Sequence, residues 1–251
     1  VLSLNDDEPS LASRVNWGNF NNAYPYIAIP GHPIAMFYGH IFDGVYQYTD
    51  FDKVGESYIL KDGVPNNGNA REKIQPGDIK FKDINRDGVV NDYDLTIIGN
   101  PNPKHIGGFG NNFQYKNFDL NVFFQWSYGG DVLNANRIEF EGGDPNARTS
   151  LNMFASFANR WTPENQTNEL YRIGGQGPAV YSSRTIEDGS FLRLKTVSLG
   201  YRLPNAWLKK INIKSLRVYA SAQNLITWTK YSGPDPEVST RPTALTPSFD
   251  W

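Results

Sequence analysis

The sequence contains no cysteine, which removes a disulfide scaffold, a thiolate metal site and a thiol nucleophile together. Histidine is scarce as well. His32, His40 and His105 stand apart, with no HExxH or other ligand spacing to support catalytic zinc. His40 and His105 fall in or beside expected strands and read as structural imidazoles. A charge excess of either sign is also missing. Against 24 Lys and Arg stand 26 Asp and Glu, a net charge of −2, so nucleic acid has no electrostatic footprint to hold.

No apolar run approaches the ~20 residues that a membrane-crossing helix needs. A β-barrel stays open, because its strands need only ~9 to 11 residues with one apolar face. The first residues, VLSLNDDEPS, carry no basic stretch followed by an apolar one, so no secretory signal is read there. GxSxG is absent, and RIGGQG at 172–177 does not link a strand to a helix as a dinucleotide loop would. Glu139, Glu141 and Asp144 cluster in an expected loop and read as solvated charges. No catalytic constellation emerges, and the chain is not read as an enzyme.

What is abundant points to strands. Aromatic residues make up 14 % of the chain, with 23 glycines and 16 prolines, a mixture suited to strands joined by turns and long loops. FDLNVFFQWS at 118–127 puts Phe118, Leu120, Val122, Phe124 and Trp126 on one face. Asp119, Asn121, Gln125 and Ser127 share the other with Phe123, which is the period of a strand. IGGFGNNFQYK at 106–116 alternates similarly, and the short Lys116-Asn117 link suits a hairpin between the two. LRLKTVSLGYRLP at 192–204 changes phase: Leu192 and Leu194 lie on one parity, Val197, Leu199, Tyr201 and Leu203 on the other. That predicts a bulge, or emergence of the chain from the apolar layer. SLRVYASAQNLITW at 215–228 is the fourth run, and a short helical turn is expected over 205–210.

Residues 50–105 and 130–187 are read as long loops, an asymmetry with the short turns that suits an outer-membrane barrel. A soluble sandwich or jelly roll is the alternative. Trp161, Tyr171, Tyr181, Trp228 and Tyr231 lie in or near these loops and read as girdle or loop packing.

Within the first loop, DINRDGVVNDYD at 83–94 follows the twelve-residue calcium pattern. Asp83, Asn85 and Asp87 take positions 1, 3 and 5, Gly88 the turn, the Val89 carbonyl position 7, Asn91 position 9 and Asp94 position 12. A hard cation wants such an all-oxygen set. Asp94 stands where an EF-hand has Glu, and the flanks read as strands, so the expectation is a structural Ca2+ that pins a loop. The alternative is an Asx-rich turn that needs no ion.

Several segments resemble one family in order along the chain: HPIAMFYGHIFDGVYQ (32–47), GDIKFKDINRDGVVNDYDLTIIGNPNPKHIGGF (77–109), NFDLNVFFQWSYGGDVLN (117–134), NRWTPENQTN (159–168), EDGSFLRLKTVSLGYRLP (187–204) and SLRVYASAQNLITWTKYSGPDPE (215–237). They are similar to the C-terminal part of the SusC and RagA family of TonB-linked outer-membrane transporters. The resemblance implies an all-β fragment, the C-terminal strands of a 22-stranded transmembrane β-barrel with long extracellular loops. Residues 1–251 would be part of that barrel and 77–99 an extracellular loop, with the plug domain and final strand absent. It further implies import of oligosaccharides or peptides across a bacterial outer membrane. The partners would be a SusD-like surface lipoprotein, lipid and, through parts not in this chain, the TonB complex. A soluble extracellular β-rich module binding calcium and glycans is the alternative from a different class.

Overall fold

The computed structural model describes residues 14–15, 24–29, 31–142, 152–177, 181–240 and 246–250. The chain divides into two compact units, Val1–Pro101, Asp131–Glu187 and Glu237–Trp251 in one, and Asn102–Gly130 and Asp188–Pro236 in the other.

The second unit is built on four long antiparallel strands: β1 (His105–Tyr115), β2 (Phe118–Tyr128), β3 (Phe191–Arg202) and β4 (Arg217–Thr229). Their order across the sheet is β4-β3-β2-β1. The alternation of apolar and polar residues predicts these strands because successive side chains of an extended chain point to opposite faces. The expected hairpin is present: Lys116, at φ 53°, makes the left-handed turn between β1 and β2. The helical turn expected over 205–210 is α2 (Asn205–Leu208) followed by a 3-10 turn at Lys209–Ile211.

The first unit differs from the expectation of long loops. It is assembled from strands of two to four residues and packs around cores of its own. Met36–Gly39 pairs with Thr96–Gly99, Phe42–Val45 with Ile79–Phe81, and Phe51–Val54 forms a hairpin with Ser57–Leu60. Asp131–Asn134 pairs in parallel with Phe249–Asp250. One core joins Tyr26, Phe37, Leu133, Ile138, Tyr181 and Phe249, residues brought together from five stretches of chain. A second gathers Val45, Ile79, Phe81, Val90, Trp161 and Tyr171. The described residues of 50–101 and 131–187 are therefore interlocked parts of one packed unit, while 102–105 and 130 belong to the other. Strands this short carry too few residues for a period of two to be legible. Two buried tyrosines of this unit satisfy their hydroxyls on backbone carbonyls: Tyr46 donates to Pro65 O at 2.6 Å and Tyr181 to Pro25 O at 3.2 Å. Burial pushes the phenol of Tyr181 far above its ordinary range.

One helix, α1 (Asn136–Glu141), carries the unit's ionic centre. Glu141, read from sequence as a solvated loop charge, is buried with a relative exposure of 6 %. It accepts from Arg137 Nε at 2.9 Å, Arg184 Nη1 at 2.7 Å and Ser156 Oγ at 2.7 Å. Arg137 also donates to the Arg184 carbonyl at 2.8 Å and pairs with Glu187 at 3.3 Å. Burial alone would raise the Glu141 carboxyl, but Ser156 and the two guanidinium groups together hold it below the ordinary glutamate value of 4.5. A carboxyl whose folded value is lowered stabilises the fold in full above its unfolded value and loses that contribution as pH falls through the folded one. Acidification below about pH 4.5 is therefore expected to loosen this unit. Glu141→Gln should remove that component of the acid sensitivity while costing about 3 kcal/mol at neutral pH. Thermal unfolding followed between pH 3 and 6, as a range spanning ordinary carboxyl titration, measures it. An unchanged acid slope in Glu141→Gln would remove Glu141 as the origin.

Candidate functional site

The four-stranded sheet has two chemically different faces, and its register explains how. Phe123 lies opposite Thr196, whereas Phe124 lies opposite Leu194, which leaves Lys195 as an extra residue in β3. On the other side, Thr196 faces Gln223 and Leu194 faces Ile226, so Asn224 and Leu225 together oppose Lys195. Asn224 makes the local turn at φ 51°. Directly opposed residues share a face. The bulge therefore restores Leu192 and Leu194 to the face that holds Val197, Leu199 and Tyr201, and the phase change in the sequence is the bulge itself.

Across that face the rows read Tyr115, Phe118, Tyr201 and Val218 at one end and Gly107, Trp126, Leu192 and Trp228 at the other. Between them run Phe113, Leu120, Leu199 and Ala220, then Asn111, Val122, Val197 and Ala222, then Phe109, Phe124, Leu194 and Ile226, so Asn111 is the polar member of an otherwise apolar middle. Large apolar side chains stand open here: Phe109 is 57 % exposed, Leu199 50 % and Trp228 49 %. A contiguous apolar surface of this kind marks contact with lipid or another protein. Aromatic rings border it at both ends, with Phe118 and Tyr201 centroids 4.6 Å apart at one of them. From Phe118 to Trp126 the strand runs roughly 26 Å at ~3.3 Å per residue, on the scale of the ~25 Å apolar band between the aromatic girdles of an outer-membrane barrel.

The opposite face is polar. Asn112, Gln114, Asp119, Asn121, Gln125, Ser198, Ser221 and Gln223 occupy it by the same pairing. Arg217 donates through Nε to Asp119 at 2.9 Å, with a second bond from Nη2, and spans β3 at Gly200. A Cβ on Gly200 would lie 2.4 Å from Arg217 and 2.6 Å from Asp119, so the clamp needs glycine there. Phe123, the aromatic that breaks the alternation in β2, lies against Gly108, where a Cβ would come within 2.8 Å of its ring, and Tyr219 shares this face through its pairing with Gly200. The shorter connections, a two-residue turn from Tyr115 to Phe118 and the segment 203–216 from Arg202 to Arg217, lie at one end. At the other end, His105, Tyr128, Phe191 and Thr229 lead into longer segments.

The residues read as a calcium loop are Asp83, Asn85, Asp87, Val89, Asn91 and Asp94, and their side chains are turned onto the loop's own backbone. Asp83 accepts from Arg86 N at 2.6 Å and Gly88 N at 2.8 Å. Asp87 accepts from Val89 N at 2.8 Å, and Asn91 from Tyr93 N at 2.8 Å. Asp94, fully buried, accepts from Ile84 N at 2.8 Å and Asn91 N at 2.9 Å. Gly88 adopts φ 85° at the turn, and Ile79–Phe81 and Thr96–Gly99 flank the loop as strands. Asn66 holds it from outside by accepting from Val90 N at 2.9 Å. Among the described residues no three acids or histidines gather as a metal cluster. The donor set remains all oxygen, and a carboxylate oxygen that accepts one N–H keeps a lone pair, so the residue types fit a hard cation.

His40 is buried and lies 5.3 Å from the Phe81 ring, a structural imidazole as expected. His105 is exposed at the strand end, accepts from Trp126 Nε1 at 3.1 Å and stacks on Tyr128. Trp161, Tyr171 and Tyr181 are core packing of the first unit, Tyr231 is buried, and Trp228 belongs to the apolar face of the sheet. Asp144 lies outside the described residues. One feature had no linear signal: a cleft of about 660 Å³ in the first unit, walled by Tyr48, Tyr58 and Trp161 and rimmed by Glu56, Glu72 and Arg160. Its rings come from three separate stretches, with Tyr48 centred 5.0 Å from Tyr58 and 5.4 Å from Trp161.

No protein-family model matches the chain. TonB-dependent receptor P3 of Formosa agariphila is 37 % identical over 224 residues, which is 89 % of this chain and 20 % of that protein. TonB-dependent receptor SusC of Bacteroides thetaiotaomicron is 33 % identical over 170 residues, 66 % of this chain and 16 % of that protein. Among solved structures, the RagAB peptide transporter superposes with a TM-score of 0.63 at 26 % identity, over 90 % of this chain and 22 % of that one. The RagAB peptide importer in its open-open state gives 0.61 at 27 % identity, over 90 % of this chain and 21 % of that one. The chain thus spans about a fifth of the length of the relatives and structures it covers most fully. The two-faced antiparallel sheet, its aromatic borders and these relatives agree: the chain belongs to the SusC and RagA family of TonB-dependent receptors, and its long strands are transmembrane barrel strands of that family.

Proposed function

We propose that this chain works as part of an importer in the outer membrane of a Gram-negative bacterium, taking up oligosaccharides or peptides by gated access without covalent chemistry. The observation that carries the reading is the sheet, apolar and aromatic-bordered on one face and polar on the other. Lipid requires such a wall outside, and a passage for polar solutes requires it inside. The likeness to a peptide importer supports a peptide as one such cargo. Leu199→Arg, on the apolar face, is expected to cost about 2–4 kcal/mol near the middle of the membrane and to lower the amount of assembled receptor. Ser198→Arg, on the polar face, should leave assembly unchanged. Equal loss in both, or a stable species in buffer without detergent, would overturn the assignment of faces.

A SusD-like surface lipoprotein is the proposed partner, and TonB the proposed source of energy, acting on the receptor as a whole. Purification of the full-length receptor from its native membrane in mild detergent should bring such a lipoprotein with it in about equal amount. A receptor that emerges alone under several detergents would remove that partner. Deletion of 130–187 is not a clean probe of docking, because those residues share cores with 26–90.

The loop 83–94 is proposed as a calcium site of structural purpose, held by Asp83, Asn85, Asp87, the Val89 carbonyl, Asn91 and Asp94. Its own hydrogen bonds already order it, so the ion would add stability to a formed loop and trigger no opening of helices. Millimolar calcium, the affinity range of extracellular modules, should slow amide exchange over 84–93 relative to chelator, and Asp87→Ala should erase the difference. Identical exchange with calcium and with chelator would leave the Asx turn as the whole explanation.

A further inference from the structure

The connection between β3 and β4 is longer than a hairpin needs, and its exposed residues are not those of a solvated turn. Leu203 N donates to Leu216 O at 2.9 Å, which carries the ladder one pair past Arg202 and Arg217 and two past Tyr201 and Val218. Both leucines therefore continue the apolar face. Beyond them α2 begins, with Leu208 buried to 1 % exposure beneath the turn. Ile213 N donates to Leu208 O at 3.2 Å, and Asn212 closes the turn at φ 55°. Against this fixed frame Trp207 is 62 % exposed, Ile211 61 % and Ile213 40 %.

Along this stretch of chain the charge is of one sign, although Arg217 is paired with Asp119 of β2. From Arg202 to Arg217 the sequence carries five basic residues, Arg202, Lys209, Lys210, Lys214 and Arg217, and no acid. Lys209 and Lys214 are exposed, with no ion-pair partner among the described residues. A solvated turn gains nothing from an open tryptophan and two open isoleucines, whereas the boundary between acyl chains and headgroups suits all of them. An indole ring places its apolar body in the chains and its N–H at the polar layer. Lysine stems lie along the apolar surface while their ammonium groups reach phosphate. Unopposed basic residues beside a membrane favour anionic lipid.

We propose that residues 203–216 form a membrane-interface foot: Trp207, Ile211 and Ile213 enter the headgroup boundary of the leaflet at the short-turn end of the sheet, and Lys209 and Lys214 select anionic phospholipid there. The inference rests on the assignment of the apolar face to lipid. Two observations commit it to lipid as the occupant: Leu203 and Leu216 carry the lipid-facing surface up to the foot, and the exposed lysines Lys209 and Lys214 complement a phosphate layer.

Because the chain has no cysteine, single cysteines placed in it carry a unique label. The full-length receptor, with any cysteine outside this chain replaced, is reconstituted with a fluorophore at Ile211→Cys in phosphatidylcholine vesicles. These contain a fixed fraction of either brominated phosphatidylglycerol or brominated phosphatidylcholine. A second preparation carries the label at Val218→Cys in the sheet. The Ile211 label should be quenched by both lipids and more by phosphatidylglycerol. Lys209→Glu with Lys214→Glu should abolish that preference, each lysine contributing about fivefold to local enrichment. Leu208 is left intact so that the turn keeps its frame. Quenching of the Val218 label with none at Ile211, or equal quenching by the two lipids at Ile211, overturns the foot and leaves the barrel standing. Absence of quenching at both positions overturns the lipid-facing sheet, and the foot with it.

Discussion

The ladder between β2 and β3 slips by one residue at Lys195, and both faces of the sheet depend on that slip. Without it, Leu192 and Leu194 would stand among Ser198 and Thr196, and the aromatic row at the far end of the sheet would lose the residue that joins Trp126 to Trp228. The slip is absorbed across β4 by two residues, Asn224 and Leu225, and Asn is among the few residues that take a left-handed conformation readily. A wall between lipid and an aqueous passage leaves little room for polar side chains on its outer face, where Asn111 is the exception in the middle rows, because an unpaired polar group in hydrocarbon costs several kcal/mol. Register is thus the constraint that the membrane imposes most directly, and a one-residue bulge is how this sequence meets it.

Glycine serves the same wall where side chains have to cross it. At Gly200 the absence of a Cβ lets Arg217 reach Asp119 over an intervening strand. At Gly107 and Gly108 it lets Trp126 and Phe123 lie against β1, one on each face. The polar face can therefore hold a two-pronged ion pair and an aromatic ring without pushing the strands apart, which keeps the backbone ladder continuous.

The other unit is stabilised in a different manner. Its strands are too short to sustain a sheet alone, and its cores draw on residues more than a hundred positions apart, as Tyr26 and Phe249 show. Its central buried polar groups are held by several partners each or by a backbone carbonyl. Glu141 has three, and the hydroxyls of Tyr46 and Tyr181 each reach a carbonyl. The Asx loop follows the same rule on a small scale, its carboxylates and amides satisfying backbone N–H groups that the turn leaves open.

Sequence by itself determined the four long strands, the hairpin at Lys116-Asn117, the bulge before Val197 and the family, because each is written in neighbouring residues: alternation over ten or more positions, a turn pair, a break in phase, a string of motifs. The Asx-rich turn at 83–94 is legible for the same reason, because its spacing is local. The folding of the described residues of 50–101 and 131–187 into one packed unit, the burial of Glu141 and the cleft of Tyr48, Tyr58 and Trp161 were decided only by tertiary structure. Their strands are shorter than one legible period, and their partners lie far apart along the chain, where no local pattern joins them.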